Sequence, residues 1–361
     1  MGMARGLAII GYGGMGQWHH KGISENNPGI SISGAYDIRE EACAKAAASG
    51  LRVYNSFQEA IDDPAVDIIL ITTPNDIHKD LSIAALKAGK HVICEKPVTM
   101  NAAELEEVIP VAKQTGKLFS IHHNRRWDRD FVIVKKILGQ NIIGKPYYIE
   151  SRVQGARRNM HGWRSHAVNG GGMVLDWGIH LLDQLLFLTD SPVVSVDAHL
   201  FKVFSTECED NFKTFLRFEN GLSALVEIST NSFIGQPRWH ISCEDGTAVI
   251  KNFDLEGEIV RIVDDGGMEW ADEIVYTSAG PTRTMAPRPK HTMEALPLPE
   301  LHKGEYGEYT THYTPYYENI TAVLDGRADP IVTPEQALRV MKLVDTIFRC
   351  AAQGHGEACR I

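Results

Sequence analysis

The chain has 361 residues, which suits about two domains of roughly 150 residues each. Apolar residues make up 43%, charged residues 23% and aromatics 8%, an ordinary globular composition with ample material for a core. The formal charge of -10 repels a phosphate backbone, which argues against a nucleic-acid partner. No apolar run approaches the roughly 18 residues of a membrane span. The segment Met1 to Ile10 passes directly into a glycine loop, which predicts no signal peptide, and Gly6 stands where a myristoylation pattern needs Ser or Thr. Cys43, Cys94, Cys208, Cys243, Cys350 and Cys359 form no CxxC pair and fit neither a zinc site nor a disulfide framework. They read as reduced thiols of a cytoplasmic protein.

The first 120 residues alternate strand and helix signals. Leu7–Ile10, Ile30–Tyr36, Val66–Ile71 and His91–Cys94 are apolar runs of the kind buried on both faces of a parallel sheet. Ser56 with Glu59 forms a capping-box pattern, and Gly89 and Gly116 stand at helix ends. The alternation predicts a doubly wound Rossmann-type sheet over residues 1–123. Beyond residue 124 the rhythm changes. A strong helix spans about Met173 to Leu188. Phe212–Phe218 alternates, turns at Asn220-Gly221 and continues as Leu222–Ile228, a hairpin signal, and Asp245-Gly246 looks like a second turn. Residues 124–361 therefore read as an α+β domain with a large, mostly antiparallel sheet. Five prolines between Pro281 and Pro299 predict an extended arm or loop. Thr333-Pro334 opens a final helix to about Ala352, which is expected to pack back on the first domain.

Gly11-Tyr12-Gly13-Gly14-Met15-Gly16 fits GxGxxG after a strand and at the start of a helix, and Asp37 ends the next strand 21 residues after Gly16. That context is the dinucleotide fingerprint. Gly11 permits the tight turn, Gly13 lets the backbone approach a pyrophosphate on the helix N-terminus, and Gly16 lets helix pack on strand. Asp37 would accept the adenosine ribose hydroxyls and repel a 2′-phosphate, so NAD is expected over NADP. The neighbouring Ile38 and Arg39 complete the cofactor's adenosine end, and Arg39 leaves room for the phosphorylated form.

Glu95-Lys96-Pro97 follows a strand end, where open α/β sheets place ligands. Further on, Asp176 and His180 are four residues apart and project from one helix face, with Asp183 near it. A lysine before a proline turn and a histidine on an apolar helix are also what a surface group and a satisfied core residue look like. Together the motifs AIIGYGGMGQWH, ITTPNDIH, HVICEKPV and GGGMVLDWGIHLLD resemble the Gfo/Idh/MocA oxidoreductases over nearly the whole chain. The resemblance implies a catalytic trio of Lys96, Asp176 and His180, and a cofactor lining of Thr73, Pro74, Asn75, His78 and Glu95. The region Ser278 to Tyr313 is long for the family's simplest members.

Oxidising a secondary alcohol needs a base, a hydride acceptor and a positive group beside the developing alkoxide. His180 can cycle a proton near neutrality. Lys96 can donate to the reacting oxygen, and Asp176 can orient it. Polar and aromatic residues stand around them: Asn124, Trp163 and Arg164 toward the cofactor, and Arg126, Arg158, His161 and Trp163 toward a hydroxyl-rich substrate. His19-His20 and His122-His123 are adjacent pairs, which rarely chelate one ion, so no metal is expected. The expected activity is hydride transfer between NAD and a secondary hydroxyl of a sugar, inositol or glycoside. The alternatives are a glycosidase that oxidises its sugar transiently and a non-catalytic NAD-binding sensor. The antiparallel sheet is expected to find its cover in a homodimer or homotetramer.

Overall fold

The computed structural model describes residues 4–361 except 159, 161, 265, 290, 291 and 309–311. Short runs of Ile, Leu and Val form the N-terminal sheet: β1 (Arg5–Ile10), β2 (Ile30–Tyr36), β3 (Ile68–Ile71), β4 (His91–Cys94) and β5 (Phe119–Ile121). They pair in parallel in the order β2-β1-β3-β4-β5. A single parallel bridge from Ala35 to Val53 adds the start of a strand outside β2. Counted as the third strand, it gives the order of a dinucleotide-binding doubly wound sheet. The connecting helices are α1 (Gly14–Asn26), α2 (Glu40–Ala48), α3 (Phe57–Asp62), α4 (His78–Lys87) and α5 (Ala102–Thr115). Gly89 and Gly116 end α4 and α5 at φ 80° and 64°, conformations that favour glycine. The capping box at α3 is half formed. Ser56 accepts the Glu59 N–H at 3.0 Å, but the Glu59 carboxylate turns to the Asn55 N–H at 2.7 Å.

The second half holds α6 (Arg129–Gly139), β6 (Pro146–Gln154), α7 (Ile179–Phe187), β7 (Val193–Phe201), β8 (Asn211–Phe218), β9 (Ser223–Ser229), β10 (Trp239–Cys243), β11 (Gly246–Ile250) and β12 (Gly257–Asp264). β13 (Met268–Thr277), β14 (Gly280–Pro289), β15 (Thr292–Leu296), α8 (Thr314–Leu324), α9 (Pro334–Gln353) and β16 (Glu357–Ala358) complete it. Among the described residues one large sheet runs β15-β12-β11-β10-β6-β9-β8-β7-β16, antiparallel except where β6 meets β9. Asn220-Gly221 makes the β8–β9 turn, with Gly221 at φ 90°. The β10–β11 turn falls on Glu244-Asp245, one residue earlier than the Asp-Gly signal suggested.

The period-two pattern divides this sheet into two faces. Val226, Leu216, Phe212, Ile241 and Trp239 point inward and are buried, with Trp239 stacked on Phe131 of α6. Tyr148, Lys213, Phe215 and Arg152 point outward, where Arg152 pairs with Glu150 and Glu227. The proline-rich stretch is a paired ribbon rather than a loop. Three of its prolines, Pro281, Pro287 and Pro289, fall at odd positions of β14, so the missing N–H groups share the edge turned away from β13. α9 begins with Thr333 capping the Gln336 N–H and a reciprocal bond from Gln336. It packs between α5 and β5 on one side and α7 and β7 on the other.

Candidate active site

The glycine loop joins β1 to α1 at the switch point of the parallel sheet. Gly11 has φ 94°, and a Cβ on Gly16 would stand 2.2 Å from the Gly11 oxygen, so neither position tolerates a side chain. Over Gly13 the nearest atom to such a Cβ is an Arg39 nitrogen at 3.5 Å, and over Gly14 nothing lies within 4 Å. α1 has no side-chain cap and no acid in its first turn. Its N-terminal N–H groups face an open cradle that fits a pyrophosphate. At the end of β2, Asp37 accepts the Tyr12 N–H at 2.8 Å and the Arg39 N–H at 2.9 Å. The Arg39 guanidinium reaches both Asp37 oxygens, at 3.1 and 3.2 Å. Burial alone would raise the Asp37 carboxyl, but these bonds from Arg39 hold it below the usual carboxylate range. Met15 and Ile38 lie exposed at either side of the cradle.

Beyond β4, Lys96 extends its ammonium to Asp176, 2.9 Å from the backbone oxygen and 3.1 Å from the carboxylate. Arg164 donates to the same carboxylate oxygen at 3.1 Å, and its guanidinium lies 4.7 Å from the Trp163 ring. Burial would raise the Asp176 carboxyl, yet Lys96 and Arg164 hold it below the ordinary value. His180 follows on α7, buried, with no partner for Nδ1. Burial first, then the charges of Lys96 and Arg125, push its imidazole well below the ordinary value. A neutral imidazole beside a lysine ammonium can accept a proton from a hydroxyl while the ammonium stabilises the oxygen.

Glycines 170–172 place the helix carrying Asp176 and His180. A Cβ on Gly170 would meet Met100 at 2.8 Å and Asn75 at 2.9 Å; on Gly171, the Arg164 oxygen at 2.4 Å; on Gly172, the Glu209 carboxylate at 2.3 Å. The Asn75 amide donates to the Gly170 oxygen at 3.1 Å, and Glu209 accepts the Val174 N–H at 2.9 Å. The glycine run is thus held between the loop after β3 and the large sheet. The first turn beyond it, Val174–Gly178, is π-helical, so Asp176 and His180 do not sit on one uniform α-helix.

Several expected ligand contacts fall on side chains engaged elsewhere. Arg126 is buried and forks onto Asp183 at 2.6 and 2.8 Å, with Ile331 and Gln336 taking its remaining N–H groups. It is a core ion pair. His78 is fully buried between the Thr73 and Pro97 oxygens, both at 2.9 Å, and ties the two strand-end loops together. Glu95 takes the His19 and His122 imidazoles on one oxygen, at 2.7 and 2.8 Å, and the Lys96 N–H on the other at 3.1 Å. His19 also meets the Tyr317 hydroxyl. Burial would raise the Glu95 carboxyl, but the two imidazoles hold it well below its range, while burial takes His19 down to about 4. The three groups could group around an ion by proximity, but as they stand they are bonded directly to one another.

Thr73 and Pro74 line the loop after β3, and Asn124 opens the turn Asn124–Trp127 after β5, both at the carboxyl end of the sheet. Arg158 is exposed at φ 49°, its N–H on the Thr230 oxygen, and no contact among the described residues joins it to the trio. His161 lies outside the described residues. Of the adjacent pair in the run Asn124–Trp127 it is Arg125, not the expected Arg126, that lies by the trio: its guanidinium is 4.2 Å over the ring of Trp177, a residue with no expected role, beside His180. No periodic signal marks which of two adjacent arginines faces a cleft.

Residues 5–123 match the oxidoreductase family with an NAD-binding Rossmann fold, and residues 131–249 match the GFO/IDH/MocA C-terminal domain. The chain belongs to the Gfo/Idh/MocA oxidoreductase family. It is similar to an NAD-binding protein from Listeria innocua, at 42% identity and a TM-score of 0.85, over 98% of this chain and 96% of that one. It is 27% identical to the scyllo-inositol 2-dehydrogenase (NADP(+)) IolW of Bacillus subtilis (strain 168), over 96% of this chain and 94% of the relative. It is 28% identical to the 1,5-anhydro-D-fructose reductase of Ensifer adhaerens, over 59% of this chain and 66% of the relative. No helix of the described residues is long and apolar enough to cross a membrane.

The Arg126 assignment has a direct check. Arg126→Ala leaves Asp183 charged and buried, and is expected to cost about 3 kcal/mol or more in chemical denaturation. A stability unchanged from the native protein would return Arg126 to the solvent-facing groups.

Proposed function

We propose that this protein is a cytoplasmic NAD-dependent dehydrogenase that oxidises a secondary hydroxyl of a sugar, inositol or glycoside, with a dinucleotide domain over 1–123 and a substrate and assembly domain over 124–361. The observation that carries this reading is the meeting of Lys96, Asp176 and His180 at the carboxyl end of the parallel sheet. The relatives named for inositol and anhydrofructose chemistry support the substrate class. The nicotinamide cofactor, when bound, accepts the hydride from the alcohol carbon.

The protein's own groups divide the remaining work. The cradle of Gly11, Gly13, Gly14, Met15 and Gly16 receives the pyrophosphate, and Asp37 receives the adenosine ribose. Thr73, Pro74 and Asn124 flank the nicotinamide end, and Trp163 and Arg164 close over it. Asn75, His78 and Glu95 act there from behind, by holding the loops in place. Asp176 holds the Lys96 ammonium toward the cleft, where it donates to the substrate oxygen. His180, kept neutral, takes the hydroxyl proton at an imidazole nitrogen. Substrate hydroxyls meet Lys96, Asp176 and Trp163 along the same cleft.

Three outcomes test the proposal. His180→Ala is expected to keep cofactor binding, since the glycine loop lies elsewhere, and to lower kcat about 100-fold or more. Lys96→Ala should also lower kcat, and the double variant should lose less than the sum because both act on one proton transfer. Near-normal kcat in folded His180→Ala, followed with NAD over a panel of sugars, polyols and glycosides, would leave His180 a packing residue.

NAD should bind more tightly than NADP, because a 2′-phosphate would sit against the Asp37 carboxylate, and Asp37→Ser should erode the difference. Equal dissociation constants for the two cofactors in the native protein, measured by fluorescence titration, would overturn this.

A second copy of the chain is expected to cover the outward face of the large sheet. There Phe215 and Tyr148 lie with ring centres 6.4 Å apart. The β13–β14 ribbon carries exposed Ile274, Val275 and Tyr276, and a two-stranded ribbon is only marginally stable without packing. Sedimentation at micromolar concentration should give a dimer or tetramer, and a monomer would refute it.

A further inference from the structure

The trio does not explain why Arg125 stands where it does. Its guanidinium stacks on Trp177 with Cζ 4.2 Å from the ring centre, and Nη1 donates to the Asp128 carboxylate at 2.9 Å. The other Asp128 oxygen accepts the Tyr313 hydroxyl at 2.6 Å, so the acid is itself fixed. Arg125 Nε is buried and has no partner. The arginine backbone is tied to the helix of His180: Gln184, one turn beyond the histidine, donates to the Arg125 oxygen at 2.6 Å. Trp177 is the common neighbour, its ring centre 6.1 Å from that of His180 in an edge-to-face arrangement. A cation is thus locked beside the imidazole from three sides, by a ring, a carboxylate and a main-chain bond.

We propose that Arg125 is a positioning residue: held by Trp177, Asp128 and Gln184 beside His180, its fixed charge favours the neutral, proton-accepting imidazole. This rests on the reading of His180 as the base. The charged and titratable groups acting on His180 are Lys96 and Glu95 from the end of β4 and His123 and Arg125 from the segment after β5, while Asp176 in the preceding turn is held by Lys96 and Arg164, and Asp183 on α7 by Arg126. Asp183 is spent on Arg126 and Glu95 on two imidazoles, which leaves cations dominant around the ring. Burial, Lys96 and His123 act in the same direction as Arg125, so the arginine is one of several contributions, but its guanidinium is held by Asp128 and Trp177 and not by the Asp176 carboxylate. A positive neighbour disfavours the imidazolium, and so keeps the base form populated at lower pH.

The test follows His180 itself and not only turnover. In protein labelled at histidine, the His180 ring resonance is identified by its loss in His180→Asn and titrated in the native protein, in Arg125→Met and in Arg125→Lys. Removing the charge should raise the His180 midpoint by about half a pH unit or more. The acid limb of kcat/KM should move up in step, while Arg125→Lys stays near the native values. Arg125→Gln, which keeps a donor for Asp128 without the charge, should behave as the Met variant does and serves if that variant folds poorly. A purely structural arginine predicts a lower melting temperature with the His180 titration unmoved. A charge-free variant that titrates where the native protein does, or stays untitrated down to acid unfolding as the native does, overturns the proposal. Should His180→Asn turn over normally while Arg125→Met still moves the resonance, the base assignment fails and the electrostatic coupling stands.

Discussion

The ammonium of Lys96 ends 2.9 Å from the backbone oxygen of Asp176, and this contact binds the parallel sheet to the helix that packs on the antiparallel one. Both partners are only about 15% exposed, so the pair works in a medium where charge is felt strongly. Everything near it is arranged to hold its two ends. On the strand side, Glu95 fixes the Lys96 backbone and is fixed in turn by His19 and His122. On the helix side, the glycine run is pressed between Asn75 and Glu209, so that the Asp176 turn starts at a defined point.

A buried carboxylate bonded to two imidazoles is costly to desolvate, and such groups persist where geometry matters more than stability. The Glu95 hub joins α1, the end of β4, the end of β5 and, through the Tyr317 hydroxyl on His19, α8. Buried polar atoms are normally paired. Around the trio several are not: His180 Nδ1, Arg125 Nε and His122 Nε2 have no partner.

The family membership fixes an oxidoreductase with an NAD-binding fold, while its relatives differ in what they act on. In the proposed reading the chemistry rests on the strand-end lysine and on Asp176 and His180. Among the described residues, the segment that carries Arg158, Trp163 and Arg164 meets the trio at the Arg164–Asp176 ion pair. In the stretch near Ser278 to Tyr313, β14 pairs with β13, and the Tyr313 hydroxyl donates to the Asp128 carboxylate that also holds Arg125.

Local pattern by itself determined four of the five parallel strands, the glycine loop, the Asn220-Gly221 turn and the capped start of α9, because each depends on neighbours in the chain: apolar period, turn propensity, a cap two or three residues away. The family resemblance carried by the ordered motifs is what implied a shared site for Lys96, Asp176 and His180, and in the fold the Lys96 ammonium meets the Asp176 carboxylate at 3.1 Å. Tertiary structure alone decided which way side chains of equal character face. Arg125 and Arg126 are identical in sequence terms, yet one lies over Trp177 beside His180 and the other is sealed on Asp183, because the turn after β5 points successive residues in opposite directions. The same holds for Glu95, Asn75 and His78. Their types suit a ligand, but the partners that consume their hydrogen bonds come from segments far away in the chain, and only the packed fold brings those segments together.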